Sequence, residues 1–206
     1  MGKLTVTTFV TLDGVMQGPG GPEEDTSDGF AYGGWVVPYA SEGMGEFMVE
    51  VFDRAEAFLL GRRTYEIFAG YWPEHDDPAD PIASRLNRLP KFVATASLKE
   101  PAAWEATTFI DGEHLQAEIV RVKDAMEGEL QVHGSGALVR WLLARDLVEE
   151  LNLLVFPVFL GAGRKLFSTG GLPTSCELLS SRTTASGIAI HTYRPSGRAT
   201  FATFAD

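Results

Sequence analysis

The stretch LQVHGSGALVRWLL, residues 130–143, sets the architecture, because a turn of small residues joins an apolar strand to an apolar helix. Val132 and its neighbours are typical of a buried strand, and Gly134 and Gly136 allow the chain to turn tightly. The backbone N–H groups of the first helical turn have no partner inside the helix, so they face the turn. This pattern indicates a strand–helix join that suits an anion, although a plain tight turn also explains it.

A second join of this kind lies at residues 59–66, LLGRRTYE. Gly61 lets the chain turn after a buried run, and Arg62 and Thr64 add side-chain donors to the start of the helix. The alternative is that the arginines are solvated and paired with Glu56 or Glu66. Two such joins in one parallel sheet favour a ligand site, because open α/β sheets bind ligands beyond the carboxyl ends of their strands.

A third strand end, residues 95–97, would add the hydroxyl groups of Thr95 and Ser97 at the same edge. An ordinary polar turn is the alternative. Outward from these joins, strands and helices alternate to about residue 150. The pattern predicts strands at 4–12 and 91–95, a helix from Ser41, a helix opened by Pro81 after an Asp80 cap, and a helix capped by Asp111 that carries Leu115, Ile119, Val122 and Met126 on one face.

The C-terminal part of the chain has a different pattern. Residues 147–160 predict a strand buried on both faces, and residues 176–204 predict antiparallel hairpins. The whole predicts a single α/β domain over 1–206, with a mostly parallel central sheet flanked by helices and antiparallel strands at its C-terminal end.

Composition excludes several classes of partner. The chain has 206 residues, of which 45% are apolar, which is enough for one core. Its net charge of −11 argues against nucleic acid and anionic membranes as partners. Cys176 is the lone cysteine, and the four histidines lack metal-ligand spacing, so no metal is expected. No membrane span or signal peptide is evident in the sequence, so we expect a cytoplasmic protein.

Five segments resemble one family in their order and spacing. They are TTFVTLDGVM (7–16), LLGRRTYE (59–66), KFVATAS (91–97), VHGSGALVRWLL (132–143) and DLVEELNLLVFPVFLGAGRKLF (146–167). Together they resemble dihydrofolate reductase-like proteins, and within these the C-terminal reductase domain of the bifunctional riboflavin biosynthesis protein. The resemblance spans almost the whole chain. It implies NADPH as cofactor, hydride transfer to a small heterocyclic substrate, and a homodimer.

The resemblance also implies positions for the cofactor. Arg62 and Thr64 match positions that hold the adenosine 2′-phosphate and the pyrophosphate, and Thr95 and Ser97 match the strand end beside the adenosine ribose phosphate. Phe9 and Val10 would lie near the nicotinamide. The implied cofactor set is completed by the turn glycine of the first join and the glycine-rich turn of the second: Gly61, Gly134, Ser135, Gly136, Ala137 and Leu138.

The substrate residues are less sharply implied. His133 stands where the riboflavin-pathway reductases typically have a glutamate, which changes the type of a substrate contact. Asp13 begins the loop that covers the nicotinamide, together with Gly14 and Met16. Glu46 is the candidate for the pterin-binding carboxylate of dihydrofolate reductases, and an exposed helix position is its alternative. Trp35 and Tyr65 are candidates for a planar-ring pocket, with core packing as the alternative.

Two rival functions stay open at this point. One is a true dihydrofolate reductase, and the other is an NADPH-binding protein without catalysis. The deaminase half of the bifunctional riboflavin protein has no counterpart, because the chain has neither H-x-E nor P-C-x-x-C.

Overall fold

An eight-stranded sheet forms the centre of the computed structural model, which describes residues 1–167 and 171–204. The strands are β1 (Lys3–Thr11), β2 (Ala55–Gly61), β3 (Lys91–Ala94), β4 (Thr107–Ile110), β5 (Glu129–His133), β6 (Glu150–Phe156), β7 (Thr174–Thr183) and β8 (Ala189–Arg198). The helices are α1 (Glu42–Asp53), α2 (Arg62–Ala69), α3 (Pro81–Arg88), α4 (Leu115–Asp124) and α5 (Gly136–Leu143). Three short 3-10 turns lie at Ser27–Gly29, Val37–Tyr39 and Trp72–Glu74.

The strand order is β4-β3-β2-β5-β1-β6-β8-β7. All pairs among β1 to β6 are parallel, whereas β8 runs antiparallel to both β6 and β7. This confirms the predicted mostly parallel sheet with antiparallel strands at its C-terminal end. The register places Thr7 opposite His133 and Gly61 opposite Ala94. The carboxyl ends of β3, β2, β5 and β1 therefore lie next to one another.

A hydrophobic core covers each face of the sheet. Phe47, Val51 and Phe52 of α1 pack on one face. Leu115 of α4 and Leu142 of α5 pack on the other. Every residue of β5 is buried, because a hydrophobic core covers each of its two faces. The strand that precedes the glycine-rich turn is thus the best shielded in the sheet.

Several predicted boundaries need correction. The α4 helix begins at Leu115 after His114, and Asp111 instead accepts the N–H of Glu113 in the turn before it. Met126 lies beyond the end of α4. The predicted strand 147–160 is shorter, because β6 covers only Glu150–Phe156 before Pro157 removes a backbone donor, and three of its positions are partly exposed.

The C-terminal prediction is confirmed as one hairpin, β7 and β8, and the described residues after Arg198 form no further strand. The short strand β4 was not predicted, since its four residues give too little periodicity. The predicted cap of α3 is confirmed, because Asp80 Oδ1 accepts the N–H groups of Ile82 and Ala83. Across the described residues, no helix has the length and apolar character needed to cross a membrane.

Candidate cofactor and substrate site

The carboxyl ends of four neighbouring strands form one edge of the sheet. In the order β3, β2, β5 and β1, these strands end at Ala94, Gly61, His133 and Thr11. The predicted cofactor segments all begin at one of these ends or lie on the last residues of the strand. The fold thus brings together residues that are far apart in sequence at the place where open α/β sheets bind ligands.

Hydrogen bonds join the β5–α5 turn to the β2–α2 turn. The N–H of Ser135 donates to Thr64 Oγ1 at 3.1 Å, and Ser135 Oγ accepts the N–H of Gly61 at 2.9 Å. Ser135 has φ 54° and follows Gly134 with φ 58°. A residue with a side chain rarely adopts this left-handed conformation, so the two bonds hold an uncommon backbone. The two predicted joins are one structural unit.

The hydroxyl protons of this unit remain available to a ligand. Thr64 Oγ1 and Ser135 Oγ each accept a backbone N–H, and within residues 1–167 and 171–204 neither hydroxyl donates a hydrogen bond. A hydroxyl that accepts one bond still has a proton to donate. With the N–H groups of the first turn of α5, these two donors suit an anion.

Arg62 connects the unit to the end of β3. Its Nη1 donates to Ser97 Oγ at 2.9 Å and its Nε donates to Glu66 Oε1 at 2.8 Å. The pairing with Glu66 that the sequence left open is therefore present, together with a contact to a second predicted cofactor residue. Because the Arg62 side chain is 54% exposed, the ion pair contributes at most about 1 kcal/mol. A phosphate can replace Glu66 at small cost.

The turn after β3 is shaped by Thr95. Its Oγ1 accepts the N–H groups of Ser97 and Leu98 at 3.2 and 3.1 Å. This tight turn presents the Ser97 hydroxyl to Arg62. The neighbouring Arg63 has a different partner, since its Nη1 lies 3.9 Å from Asp25 Oδ2 in the long loop after β1. Only one of the two arginines contacts the strand-end hydroxyls.

Asp13 fixes the turn that follows β1. It accepts hydrogen bonds from Thr11 Oγ1 at 2.6 Å, from the N–H of Gly161 at 2.9 Å and from the N–H of Leu160 at 3.3 Å. These bonds, the one from Thr11 above all, lower the pKa of the Asp13 carboxyl. Asp13 is therefore ionised, and its hydrogen bonds tie the turn after β1 to the loop at residues 160–161. Beyond it, the sulfur of Met16 lies against Gly136, where a Cβ would overlap it.

An aromatic wall borders the ends of β1 and β6. Phe9 and Trp35 both pack edge-on against Phe156, with centroid distances of 5.6 and 5.3 Å. The indole N–H of Trp35 donates to the carbonyl of Gln17 at 2.8 Å, which anchors the loop. Trp35 is largely buried and belongs to the core on this face of the sheet, as the core-packing alternative predicted. Val10 packs on the opposite face, in the core that includes Leu138.

His133 is buried at the end of β5. Its ring stacks on Phe52 of α1 with a centroid distance of 4.6 Å, and its Nε2 lies 3.1 Å from Gln131 Oε1. Burial lowers the pKa of His133 to about 4, because the charged imidazolium would lose its hydration. His133 is therefore an uncharged imidazole at neutral pH.

Within the part of the chain that the structure describes, two predicted substrate residues make no side-chain hydrogen bond to the donors at this edge. Glu46 is exposed on α1 and makes no side-chain hydrogen bond among the described residues. Tyr65 is buried among Trp104 and Phe109, and its hydroxyl accepts the N–H of Trp104 at 3.4 Å. The structure therefore agrees with the alternative given for each residue: Tyr65 packs in the core, and Glu46 is an exposed helix residue.

Thr8 is a candidate that the sequence did not single out. It is 2% exposed, and its hydroxyl is the one buried side-chain polar atom without a partner in residues 1–167 and 171–204. Thr8 lies one residue past Thr7, whose carbonyl accepts the N–H of Gly134. A buried hydroxyl without a partner is costly, and Thr8 Oγ1 keeps a proton that it can donate to an acceptor at the glycine-rich turn. β1 contains four threonines, so nothing in the sequence alone singles out Thr8.

The two cavities described in the structure lie away from this edge. One, of about 260 Å³, opens between β2 and α4 beside Ala57 and Met126. The other, of about 460 Å³, lies beside Tyr71 and Trp72 at the start of α3. Neither borders the glycine-rich turn. The donor set at the strand ends, rather than cavity size, identifies the candidate site.

The fold and this donor set define a class. A mostly parallel sheet with an antiparallel C-terminal hairpin, and with glycine turns and anion donors at its carboxyl edge, is a dihydrofolate reductase-like architecture. Within that class the chain belongs to the RibD C-terminal domain family, whose model matches residues 2–190. The family prediction made from the five segments is confirmed.

Individual relatives agree with this membership. The protein YyaP of Bacillus subtilis (strain 168) is 23% identical over 197 residues, which cover 95% of this chain and 96% of that protein. A putative riboflavin biosynthesis protein from Shewanella sp. PV-4 has a similar structure, with a TM-score of 0.71 at 20% identity, covering 94% of this chain and 99% of the other.

Two functionally described structures share the fold. Dihydrofolate reductase from Enterococcus faecalis, complexed with NADP(H), has a TM-score of 0.57 at 15% identity and covers 94% of this chain and 96% of its own. The deaminase and 5-amino-6-(5-phosphoribosylamino)uracil reductase from Thermotoga maritima has a TM-score of 0.61 at 10% identity. The match covers 94% of this chain and 56% of that one.

Proposed function

We propose that the protein is a cytoplasmic, NADPH-dependent reductase that transfers a hydride to a small heterocyclic substrate, as the 5-amino-6-(5-phosphoribosylamino)uracil reductase of riboflavin biosynthesis does. One observation carries the proposal. Arg62, Ser97, Thr64 and Ser135 form a continuous row of donors along three neighbouring strand ends. A nucleotide with separate phosphates is the kind of anion that such a row fits.

Each group in the row has a distinct task in this proposal. Arg62 takes the 2′-phosphate, for which a guanidinium offers a planar pair of donors. The hydroxyls of Thr64 and Ser135, with the helix N-terminus behind them, take the pyrophosphate. Thr8 adds a buried donor beside the glycine-rich turn. NADH lacks the 2′-phosphate and would therefore make only some of these contacts.

The reductive chemistry belongs to the nicotinamide ring, which supplies the hydride when NADPH is bound. Phe9 and Trp35, both packed on Phe156, form an apolar wall that excludes water from the reacting carbon. Asp13 holds the two loops at the end of β1 together. His133 offers an uncharged, oriented ring at the end of β5.

A non-catalytic NADPH-binding protein is the second candidate. It is favoured by the state of the titratable groups at the strand ends, because Asp13 is a bonded carboxylate of lowered pKa and His133 is uncharged. Neither is a ready proton donor, so reduction would need a water molecule as acid. A true dihydrofolate reductase is less well supported, since Glu46 is exposed, whereas the pterin-binding carboxylate of that enzyme would pair with a bound ring.

The decisive experiment compares the two neighbouring arginines. We expect NADPH to quench the fluorescence of the four tryptophans and to bind more tightly than NADH. Arg62→Ala should weaken NADPH binding roughly 10- to 100-fold, the effect of one charge-assisted contact, and leave NADH nearly unchanged. Arg63→Ala is the matched control, because Arg63 contacts Asp25 instead. An unchanged preference for NADPH in Arg62→Ala would overturn the proposal.

Turnover then separates the two candidates. Oxidation of NADPH, followed by its absorbance, is measured with pyrimidines, pterins and dihydrofolate, the last with and without methotrexate. Binding of NADPH without oxidation by any of them supports the non-catalytic candidate. Oxidation that methotrexate blocks supports a dihydrofolate reductase.

A homodimer is also part of the proposal. It is supported by β7, a ten-residue edge strand whose residues from Cys176 onward are exposed, including Leu178 and Leu179. Natural proteins seldom leave so long an edge strand unpaired. Light scattering should give twice the mass of one chain, and Leu178→Lys should give a single chain. A wild-type protein of one chain would contradict this part of the proposal.

A further inference from the structure

A buried ladder of polar side chains runs along β5 beneath α1. Glu129, Gln131 and His133 alternate along the strand, so all three point to the same face. At the outer end of the ladder, Arg54 Nε donates to Glu129 Oε1 at 2.6 Å. At the inner end, the ladder reaches the candidate site at His133. Polar residues in so buried a strand need a complete set of partners.

The Glu129 carboxylate at the outer end fixes the directions of these hydrogen bonds, because a carboxylate can only accept. The Glu129 carboxylate accepts from Arg54, from Thr5 Oγ1 at 3.0 Å and from Gln131 Nε2 at 2.7 Å. The same Nε2 also donates to the carbonyl of Val51 at 2.6 Å. Both of its partners are pure acceptors, so this atom must be the amide nitrogen. The amide oxygen of Gln131 then faces the imidazole.

The imidazole of His133 is thereby left with one possible arrangement. Its Nε2 lies 3.1 Å from Gln131 Oε1 and must carry the proton. Phe52 stacks on the ring and Phe58 lies 5.8 Å from it, so the ring cannot rotate freely. In an uncharged imidazole the other nitrogen, Nδ1, is then an acceptor, and within residues 1–167 and 171–204 it has no hydrogen-bond partner.

We propose that Glu129 and Gln131 are positioning residues that hold His133 as a neutral, Nε2-protonated imidazole, so that Nδ1 is a substrate-binding acceptor. The inference rests on the proposed function and names its substrate class: a heterocycle that brings an N–H or O–H donor to the end of β5. A substrate without that donor would cover Nδ1 without giving it a hydrogen bond and is discriminated against for that reason.

The first test reads the tautomer in the protein without NADPH. Long-range proton–nitrogen correlation spectra of the full chain contain four histidines, and His133 is assigned by the loss of its signals in His133→Gln. We expect one protonated nitrogen, Nε2, and one unprotonated nitrogen, Nδ1, at pH 7. An imidazolium or an Nδ1-protonated ring overturns the proposal, whether or not NADPH binds.

The second test removes the positioning group. Gln131→Met keeps the length of the side chain but removes the acceptor, so the two nitrogen shifts of His133 should move towards each other as the tautomers exchange. Gln131→Glu retains one acceptor oxygen for His133, and its second oxygen, when protonated, donates to Glu129 in place of the amide, so this variant should keep Nε2 protonated. A His133 spectrum that is the same in Gln131→Met as in wild type means that Gln131 does not position the ring, and it overturns the proposal.

The third test uses two pyrimidines with NADPH at saturation. 5,6-Diaminouracil carries N–H donors, whereas 1,3-dimethyluracil has its ring N–H groups replaced. We expect the first to shift the Nδ1 resonance of His133 and the second to leave it unchanged. No shift with 5,6-diaminouracil, in a protein shown by fluorescence to bind NADPH, overturns the acceptor role while the proposed function stands. Loss of NADPH binding itself counts against the proposed function alone.

Discussion

The hydroxyl oxygen of Thr64 accepts the backbone N–H of Ser135 at 3.1 Å, across 71 residues of sequence. This bond ties the β2–α2 turn to the β5–α5 turn and helps to hold Ser135 in its left-handed conformation. This bond and the one from the N–H of Gly61 to Ser135 Oγ together position the anion donors at the two strand ends. A change at Thr64 should alter both turns together.

Thr64→Val tests this coupling, because valine has nearly the shape of threonine but no hydroxyl. We expect the free energy of unfolding to fall by about 1–3 kcal/mol, since the Ser135 N–H loses its partner. NADPH affinity should fall as well, and Thr64→Ser should restore both. Urea denaturation and fluorescence titration measure the two effects. Thr108→Val, at an exposed position of β4, is the control. Equal effects in both variants would contradict the coupling.

The sequence predicted which strand ends carry the donors, because a glycine, an arginine or a hydroxyl directly after an apolar run is a local feature. It did not predict the bond between Thr64 and Ser135, since the neighbouring placement of β2 and β5 depends on the order of strands in the sheet. The hydrogen bonds of the ladder below His133 were not predicted for the same reason, since Arg54 and Thr5 lie on other parts of the chain. Its signal was the alternation of Glu129, Gln131 and His133 in a strand otherwise made of buried apolar residues.

Gly136 leaves room for Met16, and this contact can be tested by a pair of variants. In Gly136→Ala, the added methyl group would overlap the Met16 sulfur. The end of a methionine side chain can move, so we expect a loss of stability of only about 1 kcal/mol, at the low end for overpacking. Met16→Ala should remove that loss in the double variant. Gly112→Ala, where nothing lies within 4 Å, should cost nothing. Additive effects of the two changes would show that they do not touch.

Thr8 and Thr7 should respond to valine in opposite directions. Thr8→Val removes a buried hydroxyl without a partner, so the free energy of unfolding should rise by about 1 kcal/mol. In Thr7→Val, Asn152 Nδ2 loses the hydroxyl to which it donates at 3.1 Å, and stability should fall by a similar amount. If Thr8 also binds the cofactor, Thr8→Val should weaken NADPH binding up to roughly tenfold. If Thr8→Val is more stable than wild type but binds NADPH with unchanged affinity, Thr8 is not part of the cofactor site.

Burial of His133 should make the protein sensitive to mild acid. Its pKa is about 4 in the folded protein against 6.5 for the unperturbed side chain, so between these values the unfolded chain binds a proton that the folded chain does not. The contribution of His133 to the free energy of unfolding is complete above pH 6.5 and is lost as the pH falls towards 4. It amounts to roughly 3 kcal/mol. Urea denaturation at pH 7 and pH 4.5 should show this loss. His133→Gln has no titrating group there, so its stability should fall less over the same interval. Parallel losses in the two proteins would mean that other groups cause the acid sensitivity.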